Sequence, residues 1–409
     1  MKWINKSIIC KYNYSQIIII CILFFNLIST MLFIISRGTL WTKIYWQSNS
    51  YPFSDFYMPI KEASDLNPYV DLNISPYPPM AFLIFYFISL IVERDIVYAI
   101  PWNEFHRYQS FVLIYFVLLI LMIFMILYIC FNYLKNYNRE SNINFFTLFS
   151  ILLSYPFIYL YERGNIVILT MTLSLIFVLH YDSSDTVKRY CAFCALAVAA
   201  SIKIYPAIFG ILLFKKQKLK DIFILVFLGI FCFLIPFAFF NGGFNNVRYF
   251  FQKLLNFETA NNQYWIGIGS MLSTLEHFFK EKYNIFLNLN RYSTLLSVLA
   301  ILPLVFFSIS FKSFINKVFS ICIAMCLFLT NAPYLILYFM IPLIFLLQSK
   351  NYEFVFLKLI LIAIFSPFPI LLFVNVSATQ ASILKALYFD LILIIAYIYF
   401  IVLFIKGDN

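Results

Sequence analysis

Long apolar runs recur along almost the whole chain and constrain its fold more than any other feature. Each run is about 16 to 24 residues long, enough for a helix to cross a hydrocarbon layer of roughly 30 Å. Of the 409 residues, 63% are hydrophobic and only 11% are charged, which excludes an ordinary water-soluble domain. Strands of a membrane barrel alternate in shorter segments. The sequence therefore predicts an all-α polytopic membrane protein.

The apolar pattern predicts about twelve membrane-crossing helices in a single integral domain, 1–409. Basic residues gather in the short loops on one side of this count, notably before the first span and at 215–220. By the positive-inside rule that side is the cytoplasm, so both termini are expected there. A bacterial inner membrane is the expected setting. The predicted spans are 16–36, 77–92, 109–131, 145–160, 165–181, 190–214, 221–240, 291–309, 318–332, 334–348, 354–374 and 384–405.

Two long segments, 37–76 and 241–290, fall on the opposite, external face. The first is polar, acidic and aromatic, and it predicts a short surface helix at about 55–66 with Asp55 near its N-terminal end. The second contains amphipathic stretches and is expected to close over the first as a lid. Since no other loops are long enough to build a site, the functional residues are expected here.

Neither a metal, nor another cofactor, nor a nucleic acid is expected. The net charge of +11 fits the orientation of a membrane protein. Cys191 and Cys194 have the spacing of a metal or redox pair, but no second pair accompanies them. The histidines are dispersed along the chain, at His106, His180 and His277.

Several short motifs occur in a collinear order around these segments: Asp55-Phe56, Asn67-Pro68-Tyr69, Tyr77-Pro78-Pro79, Arg163-Gly164-Asn165, and the stretch 201–206 that contains Lys203 and Pro206. This order resembles that of the GT-C glycosyltransferases, in particular the polyprenyl-phosphate-mannose-dependent mannosyltransferases of glycosyltransferase family 87. The resemblance covers about half of the chain. It implies a GT-C-like helical bundle with external juxtamembrane helices.

The resemblance also implies a reaction, in which a mannose-like hexose passes from a polyprenyl-phosphate donor to a lipid-linked or glycan acceptor at the external face, with inversion. Membrane lipids are the expected surroundings of both partners. Independently of the family, an attacking sugar hydroxyl must lose its proton, and a positioned carboxylate can accept it. Asp55 is the predicted general base, although a solvated residue or a helix cap would also fit its position.

Negative charge develops on the leaving phosphate, so the site needs cations. The candidates are Lys61, Lys203, Arg248 and Lys253. Lys203 falls inside the predicted span 190–214 and can reach the site only if that helix is broken or exposed to a cavity, and Pro206 is suited to a kink there. Arg163 is not assigned this role, because the span count places it on the cytoplasmic face.

The substrate-binding candidates are Tyr57, Tyr69, Tyr77, Asn165 and Tyr338. Tyrosine rings stack on sugars, but they also collect at membrane interfaces simply because they are amphipathic. Many family members have a histidine after a proline at the external end of a late span. Here the stretch 331–338 has tyrosines instead, and Tyr338 is the expected replacement.

Three other functions fit part of the pattern. An O-antigen-type polysaccharide polymerase would also be apolar and externally looped, but external arginines are sparse here. A lipid-linked sugar flippase agrees with the span count, but it would be expected to show internal repeats and short loops. A scaffold without activity explains the hydrophobicity but not the first external segment.

Overall fold

A computed structural model describes residues 14–37, 52–69, 77–92, 94–137, 151–216, 219–258, 265–348, 354–366 and 377–407. Parts of the predicted segment 37–76 and of the spans 145–160 and 354–374 lie outside these residues. The described residues form helices and no strand, apart from one isolated bridge between Ile266 and Asn331. The helical class is therefore confirmed.

The N-terminal half of the chain is built from helices of very different length. Asp185 caps one of them by accepting from the amides of Val187 and Lys188. The α-helices are α1 (Tyr14–Ile35), α2 (Ser54–Ala63), α3 (Pro79–Ile91), α4 (Arg94–Ala99), α5 (Gln109–Tyr137), α6 (Tyr155–Arg163), α7 (Val167–His180) and α8 (Thr186–Ile202). The 3-10 helices are Trp102–Arg107 and Tyr205–Lys216.

The C-terminal half ends in one long helix, which Ser377 and Gln380 start with a reciprocal capping box. Its α-helices are α9 (Leu219–Leu234), α10 (Asn246–Glu258), α11 (Ile268–Tyr283), α12 (Ser293–Ser310), α13 (Phe314–Leu327), α14 (Met340–Gln348), α15 (Val355–Phe365) and α16 (Ala378–Ile405). Its 3-10 helices are Ile235–Phe239, Gly243–Asn245, Asn290–Tyr292 and Pro333–Phe339.

Four segments within the described residues are long and apolar enough to cross a membrane: Gln109–Leu134, Leu219–Phe239, Asn290–Ser310 and Gln380–Ile405. Most of each segment lies on the outside of the bundle, with apolar side chains such as Phe223 and Leu113 exposed. Shorter apolar helices pack between them, and α13 is buried along almost its entire length. This distribution is typical of an integral membrane protein, in which lipid covers the outer apolar surface.

The structure corrects the prediction that 77–92 crosses the membrane. Helix α3 packs along α2, where the rings of Phe56 and Phe85 lie 6.1 Å apart. Beyond the C-terminal end of α3, the Lys61 ammonium donates to the backbone carbonyl of Tyr98 at 3.0 Å. The chain from Phe85 to Tyr98 therefore stays beside α2, whose ten residues extend only about 15 Å. Apolar composition does not distinguish a helix that lies beside another from one that spans.

The single span predicted at 190–214 is also wrong. Helix α8 ends at Ile202, Lys203 has an extended backbone, and a 3-10 helix follows from Tyr205. That 3-10 helix packs back against α8. The stretch therefore consists of two helical segments with Lys203 at the turn between them. Pro206, near the start of the second segment, accounts for the break.

The second external segment is bonded to the rest of the protein at several points. The amide of Asn241 donates to the carbonyl of Leu66 at 2.8 Å, and Ile266 exchanges two backbone hydrogen bonds with Asn331. The amide of Gly267 donates to the Asp390 carboxylate on α16 at 2.8 Å. The chain is therefore bonded to the first segment before α10 begins and to the bundle directly before α11 begins.

Candidate functional site

Asp55 lies in the first turn of α2, where a predicted short helix is indeed found. The helix starts after Phe53, which has a left-handed backbone (φ 58°), and the Phe53 amide donates to the carbonyl of Glu162 at 2.8 Å. This bond ties the start of α2 to the end of α6. The Asp55 side chain is 14% exposed, so it is largely enclosed but still reachable.

The turn after α6 brings two side chains to the Asp55 carboxylate. The Arg163 guanidinium bonds Oδ1, and Asn165 Nδ2 donates to Oδ2 at 2.7 Å. Asn165 Oδ1 accepts from the amide of Val167 at 3.0 Å, which fixes the direction of the Asn165 amide. Both oxygens of Asp55 are thus engaged by donors.

Gly164 makes this turn possible. Its backbone is left-handed (φ 69°), and a Cβ at this position would lie 3.0 Å from Phe56 Cβ and 3.2 Å from Phe53 Cα. Glycine tolerates both the conformation and the close approach to α2. Arg163 therefore lies on the same face as Asp55, and the prediction that placed it on the opposite, cytoplasmic face is wrong. The error follows from counting 77–92 as a crossing.

Tyr77 forms the wall of the site opposite this turn. Its hydroxyl accepts from Asn165 Nδ2 at 3.2 Å and lies 3.5 Å from the backbone carbonyl of Asp55. Pro78 and Pro79 set its position by fixing the start of α3. Tyr69 is buried and donates its hydroxyl proton to the Tyr77 carbonyl at 2.9 Å, so its polar atom supports the wall.

Lys203 reaches the site from the turn after α8. Its ammonium lies 3.7 Å from the centroid of the Tyr77 ring, a cation–π contact. The Lys203 charge is also within electrostatic range of Asp55. The sequence-based assignment of Lys203 to the site required an interruption of the apolar stretch 190–214. The end of α8 at Ile202 is such an interruption.

Tyr334 is a site residue that the sequence reasoning did not single out. It occupies the first turn of the 3-10 helix Pro333–Phe339, and its ring stacks on Tyr159 with centroids 6.3 Å apart. Asn165 and the Asp55 charge both interact with its hydroxyl. The available signal was Pro333, which favours position 334 for the start of a helix at the end of an apolar run.

Tyr338, the predicted counterpart of the family's histidine, follows Tyr334 in the same 3-10 helix, about one turn later. Its hydroxyl donates to Thr170 Oγ1 at 2.8 Å, and its ring stacks on Phe209. The whole side chain is buried. The structure therefore places Tyr334, rather than Tyr338, in the group around Asp55.

Three of the predicted phosphate-binding cations lie elsewhere. Lys61 bonds the backbone carbonyls of Val97 and Tyr98, and burial lowers the pKa of its ammonium. Lys253 is buried and donates to the Pro68 carbonyl at 3.0 Å. Arg248 is exposed on α10. The contacts of Lys61 and Lys253 connect α2 with α4 and the end of the first segment with α10.

Tyr57 is also kept away from any substrate. It is buried in an aromatic cluster with its ring about 6 Å from those of Phe105 and Phe111. Burial raises the pKa of its hydroxyl to about 12. Tyr57 therefore packs α2 against the segment that precedes α5.

A groove of about 240 Å³ begins beside this site. It runs along α5 from Tyr115 to Met125, a rise of about 15 Å, and reaches the outer surface at Leu121. Its lining is almost wholly apolar: Phe56, Ile84, Phe85, Ile88, Tyr115, Leu118, Leu119, Leu121, Met122, Met125, Leu160, Gly164, Asn165, Ile166 and Leu169. The polar end is formed by Asn165, which also contacts Asp55.

The described residues contain no group of three or more histidine, cysteine or acidic side chains that could hold a metal ion. Among the described residues, the Asp55 carboxylate lies with the two cations Arg163 and Lys203, and Glu62 is also within electrostatic range of the Tyr77 hydroxyl. The two cations favour binding of an anionic ligand. The carboxylate can accept a proton from a hydroxyl, either on that ligand or on a second molecule beside it.

A family model for glycosyltransferase family 87 matches residues 76–330, which is more than half of the chain. Tyr77, Arg163, Asn165 and Lys203 lie within the matched residues, whereas Asp55 precedes them and Tyr334 follows them. No curated protein matches the chain.

Proposed function

Because the chain belongs to glycosyltransferase family 87, we propose that it transfers a mannose-like hexose from a polyprenyl-phosphate donor to a lipid-linked or glycan acceptor. The family makes the chain a membrane glycosyltransferase. The sugar, the lipid donor and the acceptor are part of the proposal. So is the location of the site, which we assign to the external face of a bacterial inner membrane.

The observation that carries the proposal is the position of Asp55 at the polar end of an apolar groove. A carboxylate that is only 14% exposed and held by Arg163 and Asn165 is oriented rather than free to rotate. An oriented carboxylate beside an apolar groove suits a reaction that brings a sugar hydroxyl to a lipid-linked sugar.

We assign Asp55 as the general base. It removes the proton from the attacking hydroxyl of the acceptor while the hydroxyl oxygen bonds the anomeric carbon. The bond between that carbon and the phosphate oxygen breaks on the opposite face, so the configuration inverts. The electron pair of the broken bond remains on the polyprenyl phosphate, which leaves with one more negative charge than it had as the donor.

The groove supports a lipid-linked donor. An isoprenoid chain has no hydrogen-bonding groups, and the lining offers almost none beyond Asn165 and Tyr115, whose hydroxyl already bonds the Tyr161 carbonyl at 2.6 Å. The opening at Leu121 lets such a chain enter directly from the bilayer. Because the chain passes from lipid into an equally apolar groove, packing contacts rather than the hydrophobic effect would hold it there.

Among the cations predicted from the sequence, we assign Lys203 to the phosphate. Its ammonium lies on Tyr77, which in turn bonds the amide that orients Asp55. A cation at this point stabilises the second negative charge that develops as the lipid phosphate leaves.

The test is an assay in membranes with radiolabelled polyprenyl-phosphate sugars, comparing the wild type with Asp55→Asn. We expect transfer by the wild type and a loss of at least a hundredfold in the variant, typical of removing a general base. Asp65→Asn is the matched control, because Asp65 is an exposed acid on the same segment. Undiminished transfer by a folded Asp55→Asn protein contradicts the assignment, and wild-type membranes inactive with every lipid donor contradict the proposed function.

The external location is tested separately by cysteine labelling with an impermeant reagent. Asn288 is exposed between α11 and α12 on the Asp55 side, and Ser184 is exposed in the turn between α7 and α8. Labelling of Asn288→Cys but not Ser184→Cys in intact cells supports the location. The reverse pattern places the site in the cytoplasm.

A further inference from the structure

We propose that Arg163 is a binding group for the donor's phosphate, and that its pair with Asp55 is a resting state that the phosphate opens. The proposal rests on the proposed function and extends it. In the resting state the guanidinium holds Asp55 Oδ1. When the donor binds, Arg163 exchanges the carboxylate for the phosphate, and Asp55 becomes available to the acceptor.

The position of Arg163 relative to the groove is the first argument. Arg163 directly precedes Gly164 and Asn165, and both of these residues line the groove at the end next to Asp55. A polyprenyl chain in the groove carries its phosphate at this end, because the remaining lining is apolar. The guanidinium, 19% exposed as a side chain, is then the nearest arginine to the phosphate among the described residues.

The second argument is that both oxygens of Asp55 are occupied. Oδ1 bonds the Arg163 guanidinium and Oδ2 accepts from Asn165 Nδ2. A general base must bring an oxygen within hydrogen-bonding distance of the hydroxyl that it deprotonates. Removing Arg163 from Oδ1 leaves the Asn165 bond at 2.7 Å, so Asp55 stays oriented while one oxygen is released.

Arginine suits such an exchange. Its planar guanidinium binds carboxylates and phosphates with the same pair of parallel donors, and it stays charged in both states. In the transfer step, the acceptor proton moves to Asp55 and the electron pair of the broken bond moves to the phosphate oxygen. The phosphate thereby changes from a monoanion to a dianion, so its attraction for Arg163 grows as the reaction proceeds.

The backbone keeps this change local. The bond from the Phe53 amide to the Glu162 carbonyl and the contact of Gly164 with Phe56 do not involve either charged side chain. The ends of α2 and α6 therefore remain together when the ion pair opens. Opening moves the Arg163 side chain and leaves these backbone contacts in place.

The test measures binding of undecaprenyl phosphate to the purified full-length protein in nanodiscs, with no sugar and hence no transfer. If Asp55 competes with the phosphate for Arg163, Asp55→Asn must bind this lipid more tightly than the wild type. We expect a gain of roughly fivefold to tenfold, in line with a charge-assisted hydrogen bond. Arg163→Gln should bind at least about tenfold more weakly, and Arg163→Lys should fall between it and the wild type.

The double variant Asp55→Asn/Arg163→Gln separates this exchange from other effects. Without Arg163, most of the gain from Asp55→Asn should be lost, because Asp55 then has no guanidinium to withhold from the phosphate and only its charge repulsion of the phosphate remains. Undecaprenol, which lacks the phosphate, should bind all four proteins equally. Thermal unfolding in the same nanodiscs identifies variants that fail to fold, and Arg163→Lys keeps the comparison valid if Arg163→Gln is one of them.

Three results overturn the proposal: a folded Asp55→Asn protein that binds undecaprenyl phosphate no better than the wild type, undiminished binding by Arg163→Gln, or an Asp55→Asn gain that is as large without Arg163 as with it. Because these measurements involve no catalysis, they are independent of the transfer assay. A failure of the transfer assay with a positive binding result contradicts the assigned base while the phosphate site stands.

Discussion

Asn165 donates to the Asp55 carboxylate at 2.7 Å while its own carbonyl oxygen accepts from the Val167 amide at the start of α7. The same amide nitrogen lies 3.2 Å from the Tyr77 hydroxyl. One side chain thus connects three parts of the chain that are far apart in sequence. The orientation of Asp55 depends on the turn that presents Asn165, and the first prediction concerns that turn.

Gly164→Ala should destabilise the protein and abolish most of the transfer activity. The alanine must adopt a left-handed backbone, and its Cβ must press on Phe56 and Phe53. Together these should lower the free energy of unfolding by about 1–3 kcal/mol. Gly229→Ala is the matched control, because Gly229 lies within α9 and a Cβ there meets no atom within 4 Å. Thermal stability and transfer should both fall in the first variant; in the second, transfer should be unchanged and thermal stability unchanged or slightly raised, because alanine favours a helix more than glycine does. Equal behaviour of the two variants would contradict the structure of this turn.

Tyr334→Phe should lower kcat by about tenfold, since the lost hydroxyl interacts with Asn165 and is within range of Asp55. Tyr338→Phe removes a buried bond to Thr170, so it should cost about 1 kcal/mol of stability with little change in kcat. Steady-state kinetics and thermal unfolding on both variants measure the difference. If Tyr338→Phe has the larger kinetic effect, the sequence-based assignment of Tyr338 is the correct one.

Lys203→Met should raise the KM for the donor and lower kcat, because it removes the ammonium above Tyr77 and retains the apolar stem. A loss of roughly tenfold or more in kcat/KM is expected, equivalent to one charge-assisted bond. Lys220→Met serves as the control, since Lys220 begins α9, beyond the other end of the 3-10 helix that follows Lys203. An equal effect of both substitutions would indicate a general loss of charge rather than a local one.

Filling the groove should discriminate between donors by chain length. Met122→Trp places a larger side chain in the groove, so the KM for a long polyprenyl donor should rise at least about tenfold, while a short, water-soluble analogue should be little affected. Leu113→Trp is the control on the same helix, as Leu113 is exposed and outside the groove lining. If both donors lose activity to the same extent, the groove does not hold the chain.

The sequence was sufficient for the fold class and for the segment that contains Asp55, because composition and hydrophobic runs carry that information. It was insufficient for Arg163, whose predicted side depended on the number of preceding crossings. Because 77–92 was counted as a crossing, Arg163 was predicted on the wrong face. Because 190–214 was counted as one crossing instead of two, the second error cancelled the first for all residues that follow. Asn241 was therefore predicted on the correct face relative to Asp55, as its bond to Leu66 shows.

Tyr334 and the two engaged oxygens of Asp55 could not be predicted for a different reason. They depend on how the turn at Gly164 meets α2 and on the stacking of Tyr334 on Tyr159, and these are contacts between segments more than a hundred residues apart. Local pattern does not encode such distances. By contrast, the role of Pro206 in breaking the apolar stretch was visible in the sequence, and the break at Lys203 confirms it.

The bridge between Ile266 and Asn331 limits how this enzyme can be remodelled. Around it, Gly267 and Gly269 approach the backbone so closely that a Cβ on either would lie 2.5 Å from the Leu329 carbonyl oxygen or 2.4 Å from Thr330 Oγ1. The start of α11 and the chain that leads to Tyr334 are thus packed so closely that each fits only the other's backbone. If residues 241–290 were replaced by those of a relative, residues 328–332 would have to be replaced by that relative's residues as well. New acceptor preferences would therefore be acquired by exchanging both segments together.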